Sequence, residues 1–511
     1  MTGYGRFHLR KKKLLLNTST SLIYQVVSVI CGLVIPRIFI QYYGSAINGL
    51  VSSISQFLSF ITLLELGVGA VVQSALYKPL AEKNISEISK IIVSAEKFFK
   101  RIAMIFAGYI FLLVLFYPII VNNQFGWPFT VTLIVVISIS TFAQYYFGIT
   151  YQMLLNADQR AYIQFSIQTG MLLLNALATI VLAFWGADVI ALKLVSSLIF
   201  LLRPIVFVVC AKKYYHIDQS IQYEGEPIKQ KWNGLAQHLA SVVLNSTDVV
   251  ILTLFSTLEN VSIYYVYHAV VNGVKTLITT VTNSVQATIG DMIARNEKET
   301  LDNFFSLFEW IVHTLVTFLF ACTGLLILPF VEVYTANISD VNYYLPSFAI
   351  LITLAQVSYC LRLPYNIAVL AAGHYRQTQS SAIIEALINI VLSIVLVSKF
   401  ELIGVAIGTL VAMCYRTVYF AFYLQKNILK RSLKYFVQHI IVDGVSVSLS
   451  ILFTYRLTMA DAIFSSWIVL AIKVSVICFV ITFVVNLLVY YKQMKKLFDR
   501  FRKKCLTIKS T

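Results

Sequence analysis

Charge is scarce in this sequence: Asp, Glu, Lys and Arg make up 12% of 511 residues, where a soluble globular chain carries roughly 25%. With 59% hydrophobic residues, that deficit excludes a water-solvated protein, a disordered chain and a coiled coil. The seven cysteines (Cys31, Cys210, Cys322, Cys360, Cys414, Cys478 and Cys505) form no C-x-x-C pair and keep no metal-ligand spacing. They are expected as reduced packing residues, and no metal site is expected. Strict apolar/polar alternation is missing, which removes an outer-membrane barrel. A Walker A sequence is missing too. Gly273-Val274-Lys275-Thr276 lacks the Gly-Lys-Ser/Thr core, so no nucleotide hydrolysis is expected.

What the chain has is long apolar runs. Roughly 300 apolar residues, at about 20 per span, allow about fourteen transmembrane helices. Splitting at polar breaks places them near 15–41, 49–77, 101–121, 129–155, 161–185, 188–211, 232–256, 262–290, 304–330, 345–370, 378–398, 402–424, 435–456 and 467–491. Helices are required because lipid offers the backbone no hydrogen-bond partner. The fold class is an all-α polytopic membrane protein.

The net charge of +17 sits in short blocks between apolar runs, which argues for a membrane and against nucleic acid. Counting Arg101 at the membrane edge, 31 of the 40 basic residues fall at the termini and in the even-numbered loops, and the odd-numbered loops hold only Lys399 and Arg456. By the positive-inside rule both termini are cytoplasmic. The basic Arg10-Lys11-Lys12-Lys13 precedes an apolar stretch too long for a signal peptide and without a small-residue cleavage site, so an uncleaved first span is expected. Every outer loop is short. Integral-membrane glycosyltransferases and polymerases need a large one for their chemistry, so no enzyme is expected.

The sequence repeats. Asn175 and Ser166 in span five match Asn389 and Ser380 in span eleven at an offset of 214, and Arg203 faces Arg416 one slip later. Two pseudo-symmetric six-helix lobes follow, with two further C-terminal helices. The expected layout is a basic N-terminus 1–14, an N-lobe 15–211, a linker 212–231, a C-lobe 232–424, two added helices in 425–491 and a basic tail 492–511. Parallel repeats of this kind in transporters hold substrate between the lobes and rock around it.

Polar stripes mark the helices expected to line a wet cavity. His268, Asn272, Lys275, Thr279, Asn283 and Gln286 share one face of span eight. Glu65, Gly69 and Gln73 do so in span two, Gln237 and Asp248 in span seven, and Gln25 in span one. Ordinary small-residue packing seams remain open for span one. Lys275 lies near the bilayer midplane, where a lysine costs about 2.5–3.5 kcal/mol, so water, a partner or an anionic substrate must offset it. Arg37, His268 and Arg362 extend the positive charge to other depths. Glu65 and Asp248 are open to ion pairing, to gating, or to carrying a coupling H+ or Na+. Glu385 and Arg416 lie at similar depth on adjacent helices and are expected as a structural ion pair. Glu309, His313, Asp443 and Lys473 lie within a few turns of a surface and carry little argument. No bound cofactor is expected.

Glu65-Leu66-Gly67-Val68-Gly69-Ala70, Asn245-Ser246-Thr247-Asp248 with Val261 and Tyr264, and Gly373-His374-Tyr375 through Glu385, Asn389 and Gly404-Val405-Ala406-Ile407-Gly408-Thr409 resemble motifs of the multidrug/oligosaccharidyl-lipid/polysaccharide exporter superfamily. The likeness is to its bacterial polysaccharide (O-antigen/capsule) repeat-unit flippases, and it covers essentially the whole chain. The resemblance implies a MATE-like, V-shaped fold in the bacterial cytoplasmic membrane, with a cationic central cavity. It implies an undecaprenyl-diphosphate oligosaccharide as cargo, held at its diphosphate by Lys275, Arg37, His268 and Arg362. It also implies a place beside the polymerase and glycosyltransferases of one pathway. A lipid II flippase or a MATE-type multidrug/cation antiporter is the alternative.

Overall fold

A computed structural model describes residues 3–65, 68–121, 124–221 and 235–491. The basic tail 492–511 and much of the 212–231 connection lie outside them. Among the described residues the chain is helical and contains no strand. In order run α1 (Gly3–Tyr43), α2 (Ser45–Leu58), α3 (Ile61–Glu65), α4 (Val68–Glu82), α5 (Ile85–Ile120), α6 (Trp127–Ala143), α7 (Ile149–Ala157), α8 (Ala161–Phe184) and α9 (Val189–Tyr214). There follow α10 (Leu235–Phe255), α11 (Leu258–Asn283), α12 (Gln286–Ala294), α13 (Lys298–Tyr334), α14 (Pro346–Ala371), α15 (Tyr375–Leu424), α16 (Lys434–Thr454) and α17 (Phe464–Val489).

Local chemistry sets the boundaries. Asn84 caps α5 by accepting from the Glu87 N–H at 3.1 Å, and Asp188 caps α9 by accepting from the Ile190 N–H at 3.0 Å. Eleven described helices are long and apolar enough to cross a membrane, which makes the chain a multi-pass membrane protein. The polar-striped α11 is not one of the eleven. One of them contains α15, which is two helices meeting at Glu401 (φ 46°, ψ −121°). Its halves form an antiparallel hairpin. A Cβ on Gly404 would lie 2.5 Å from the Leu396 carbonyl, and one on Gly408 would lie 2.3 Å from Ser393 Oγ. The Gly404/Gly408 spacing therefore lets the two backbones touch.

Packing divides the helices into two compact units that part at Tyr265/Val266. In the first, α1 lies along α8, and α9 packs on both α6 and α8. Helix α10 also belongs to it, because it packs on α2 and α3. Ser53 and Thr253 share a hydroxyl contact of 2.7 Å, and Asn48 Nδ2 donates to Ser262 Oγ at 2.8 Å. Gly49 lets the Leu258 carbonyl in, since a Cβ there would sit 1.8 Å from that oxygen. The partition thus falls within α11. In the second unit α14 packs on α15, and α13 packs on α14, α16 and α17.

A polar knot ties three helix ends of the first unit. Asp158 accepts from Arg160 Nε at 2.6 Å and from the Tyr215 hydroxyl at 2.5 Å, while Lys13 Nζ reaches its backbone carbonyl at 2.8 Å. Burial opposes ionisation of Asp158, but the Tyr215, Arg160 and Lys13 contacts outweigh it and hold the carboxyl below its usual range. A carboxylate so lowered contributes stability above its unfolded pKa and loses it as pH falls through the folded value. We therefore expect Asp158→Asn to cost about 1–2 kcal/mol at neutral pH. In detergent melts the gap to the parent should narrow once pH drops below about 4. A gap independent of pH would count against the ionised knot.

Candidate functional site

The second unit gathers the sharpest charges. On α11, His268, Asn272, Lys275 and Thr279 are all half-buried on one face. The threonines of this helix turn their hydroxyls back on the backbone, as Thr276 does to the Asn272 carbonyl at 2.7 Å and Thr279 to the Thr276 carbonyl at 3.0 Å. That satisfies them within the helix. Lys275 Nζ lies 4.1 Å from the centre of the Tyr359 ring. Arg362, one turn along α14, has its guanidinium carbon 4.7 Å from the same ring. Tyr359 therefore takes two cations on its π-system, an arrangement that strengthens as water is excluded.

Behind that ring lies an acid. Arg362 Nη1 donates to Glu385 Oε1 at 2.5 Å, and Arg416 Nη1 donates to the other carboxylate oxygen. Glu385 is 1% exposed, Arg362 4% and Arg416 8%. The structure thus joins Glu385 and Arg416 with Arg362 as a third member. Arg362, expected among the diphosphate-holding cations, sits one layer behind Lys275 and shares its charge with Glu385. The sequence reading did not single out Tyr359. The usable signal was its place one helical turn before Arg362, since i and i+3 share a face.

In the first unit, α2 ends at Leu58 and Glu65 closes the short α3. Glu65 accepts from the Tyr145 hydroxyl at 3.2 Å. It opens on a cavity of about 650 Å³ whose wall includes Gln73, Gln144, Gln152, Asn156 and Arg203. Arg203 Nε reaches Gln144 Oε1 at 3.4 Å. Asp248 is buried and accepts from the Tyr264 hydroxyl at 3.1 Å. Arg37 and Gln25 are half-buried on α1. The side chain of Gln237 lies outside those described. Among the described residues no group of three or more His, Cys, Asp or Glu is arranged to hold a metal ion.

The chain matches no family model and no curated protein sequence. Its backbone does match solved structures. The lipid II flippase MurJ in an inward closed conformation aligns over 94% of this chain and 100% of that one, at a TM-score of 0.68 and 14% identity. The inward-facing conformation of a multidrug resistance MATE family transporter of the MOP superfamily aligns over 81% of this chain and 99% of that one, at 0.61 and 13%. An outward-facing conformation of such a transporter aligns over 83% and 97%, at 0.57 and 14%. Identities this low carry the fold alone. The fold is that shared by MurJ and the MATE transporters, an all-α polytopic membrane architecture.

Proposed function

We propose that this chain is a lipid-linked oligosaccharide flippase that moves undecaprenyl-diphosphate-linked repeat units from the cytoplasmic to the outer leaflet by alternating access. The observation that carries the reading is the cation cluster at Tyr359: Lys275 and Arg362 both lie over its ring, and Arg362 shares Glu385 with Arg416. A diphosphate cannot enter hydrocarbon unaided, and a half-buried ammonium backed by a second positive layer lowers that barrier while the prenyl tail stays in lipid. The shared fold with a lipid II flippase supports a lipid diphosphate as headgroup. In this reading Lys275 and His268 hold the diphosphate, with Asn272 and Thr279 lining the wet path beside them. Glu65 or Asp248 carries the coupling ion. The protein acts in the bacterial cytoplasmic membrane with both termini inside, makes no covalent bond, and works beside the glycosyltransferases and polymerase of its pathway.

The test is reconstitution. Proteoliposomes holding a fluorescent undecaprenyl-diphosphate oligosaccharide should expose inner-leaflet label to an impermeant quencher faster than empty vesicles. Label exposure at the empty-vesicle rate, with uptake of a cationic dye in the same vesicles, would transfer the chain to the multidrug reading. Growth of a deletion strain separates the remaining option, since loss of a lipid II flippase is lethal and loss of a capsule flippase is not.

A further inference from the structure

Away from Lys275, the bundle of α13, α14, α16 and α17 holds a second set of titratable groups in mutual contact. Asp302, Ser306, Glu309, His313 and Thr317 share one face of α13 over about 22 Å, at 1.5 Å per residue. The first of these has a side chain 54% exposed, while Glu309 and His313 are each 1% exposed. Arg431, from the connection before α16, pairs with Glu309 through Nη2 and donates to Ser306 Oγ at 3.0 Å through Nη1. It also lies 3.8 Å from Asp302. The Tyr365 oxygen lies 2.6 Å from Glu309 Oε1 and 3.1 Å from His313 Nε2. His313 Nδ1 lies 2.7 Å from Asp443 Oδ2, and the Thr317 hydroxyl donates to Asp443 Oδ1 at 2.7 Å. His439 completes the set: Nδ1 is 2.8 Å from the Tyr490 hydroxyl, Nε2 is 3.7 Å from Glu309 Oε2, and its ring stacks on His313 at 4.8 Å.

Two arguments converge on one proton. The first is charge. Arg431 pairs with the buried Glu309, whereas Asp443, its side chain 15% exposed, meets only His313 and Thr317 among the contacts above, which leaves its negative charge in a poorly solvated place, and such a charge is costly. The second is donor count. Tyr365 has a single O–H to give to two acceptors, Glu309 and His313. With the O–H on Glu309, His313 Nε2 must donate to the Tyr365 oxygen, and a further proton must lie between Nδ1 and Asp443. With the O–H on His313, Nδ1–H donates to Asp443 and the row holds one proton fewer. At these distances only the first arrangement satisfies every atom of the row; the second takes the donor from Glu309 Oε1, so giving up the proton costs that hydrogen bond. The stacked His439 limits the gain to one, because two imidazolium rings face to face would repel.

We propose that the His313–Asp443 pair is a proton-binding site, loaded from the Asp302 end of α13, and that loading switches the Tyr365 hydroxyl from His313 to Glu309. The site is separate from Lys275 and from Glu65 and Asp248, and it stands whatever the cargo. The groups facing the pair are Thr317 and Glu309 on α13, Tyr365 on α14, His439 on α16, and Tyr490 and Arg431 at the ends of neighbouring elements. Its ligand is a proton.

Infrared difference spectroscopy of the full-length protein in nanodiscs, between roughly pH 5 and 8, tests this. We expect an imidazole–carboxyl protonation signal that His313→Gln and Asp443→Asn each remove and His439→Gln leaves in place. Thr317→Val, which removes the donor that favours the ionised Asp443, should keep the signal and raise its midpoint. A purely structural network would give identical difference spectra in the parent and in His313→Gln, and an unmoved midpoint in Thr317→Val. Either result overturns the proposal. Should one deleting variant fail to fold, the other and the Thr317 midpoint still decide.

Discussion

Lys275→Ala should cut flipping of the fluorescent lipid diphosphate in proteoliposomes by roughly 10- to 100-fold, the value of one hydrogen bond to a charged group. The protein should still reach the membrane at the parent's level. The size of the effect follows from where the charges are committed. Arg362 and Arg416 divide Glu385 between them behind Tyr359, whereas the Lys275 ammonium lies half-buried over the π-face of that ring. Removing it strips the outer cation and leaves the Arg362–Glu385–Arg416 set intact, so transport should fall. Lys275→Arg should keep part of the rate, because the charge persists while a planar fork replaces a compact ammonium. Tyr359→Leu should cost less than Lys275→Ala, since it removes the ring and keeps the charge. Parent-level flipping by Lys275→Ala would remove this residue from the mechanism and take the diphosphate reading with it.

How far the sequence reaches can be argued from individual residues. Apolar runs located the helices because lipid tolerates no other backbone at that depth. The break at Lys399 separated two helices correctly, and the structure turns the chain at Glu401. The run 49–77 was read as one span, yet it breaks into α2, α3 and α4. There Ser55, Ser59 and Thr62 turn their hydroxyls onto the Val51, Gln56 and Ser59 carbonyls, and such side chains compete with the helical ladder. Hydropathy averages over that competition and misses it. At the site, depth alone suggested Glu385 with Arg416, but depth could not show that Arg362 also turns toward the same acid. Glu309, His313 and Asp443 lie within a few turns of a helix end, a depth that carries little argument, yet neighbouring helices bury the first two almost completely. The spacing 309–313–317 on α13, matched by 439–443 on α16, was the available signal, because residues four apart stack on one helical face.

Glu385→Ala carries the largest expected loss of stability, about 3–5 kcal/mol. Glu385 is the acid on which both Arg362 and Arg416 close. All three side chains are more than nine-tenths buried, so deleting the carboxylate leaves two guanidiniums in a dry interior. Glu385→Gln keeps the shape and some hydrogen bonding and should cost less than alanine, while still leaving the charges uncompensated. The cause can be isolated by a second change. Adding Arg416→Met to Glu385→Gln should restore part of the melting temperature in detergent, because one of the two stranded charges is gone; the coupling between the two changes is the measure of their contact. The repeat supplies a control. Arg203, which corresponds to Arg416 in the sequence repeat, is half-buried at the wall of a cavity and meets the uncharged Gln144. Arg203→Met leaves no acid stranded there by that contact and should shift melting less than Arg416→Met, which strands Glu385 with one partner. Equal losses at the two arginines, or a Glu385→Ala protein that melts with the parent, would show that the buried triad does not hold the second unit together.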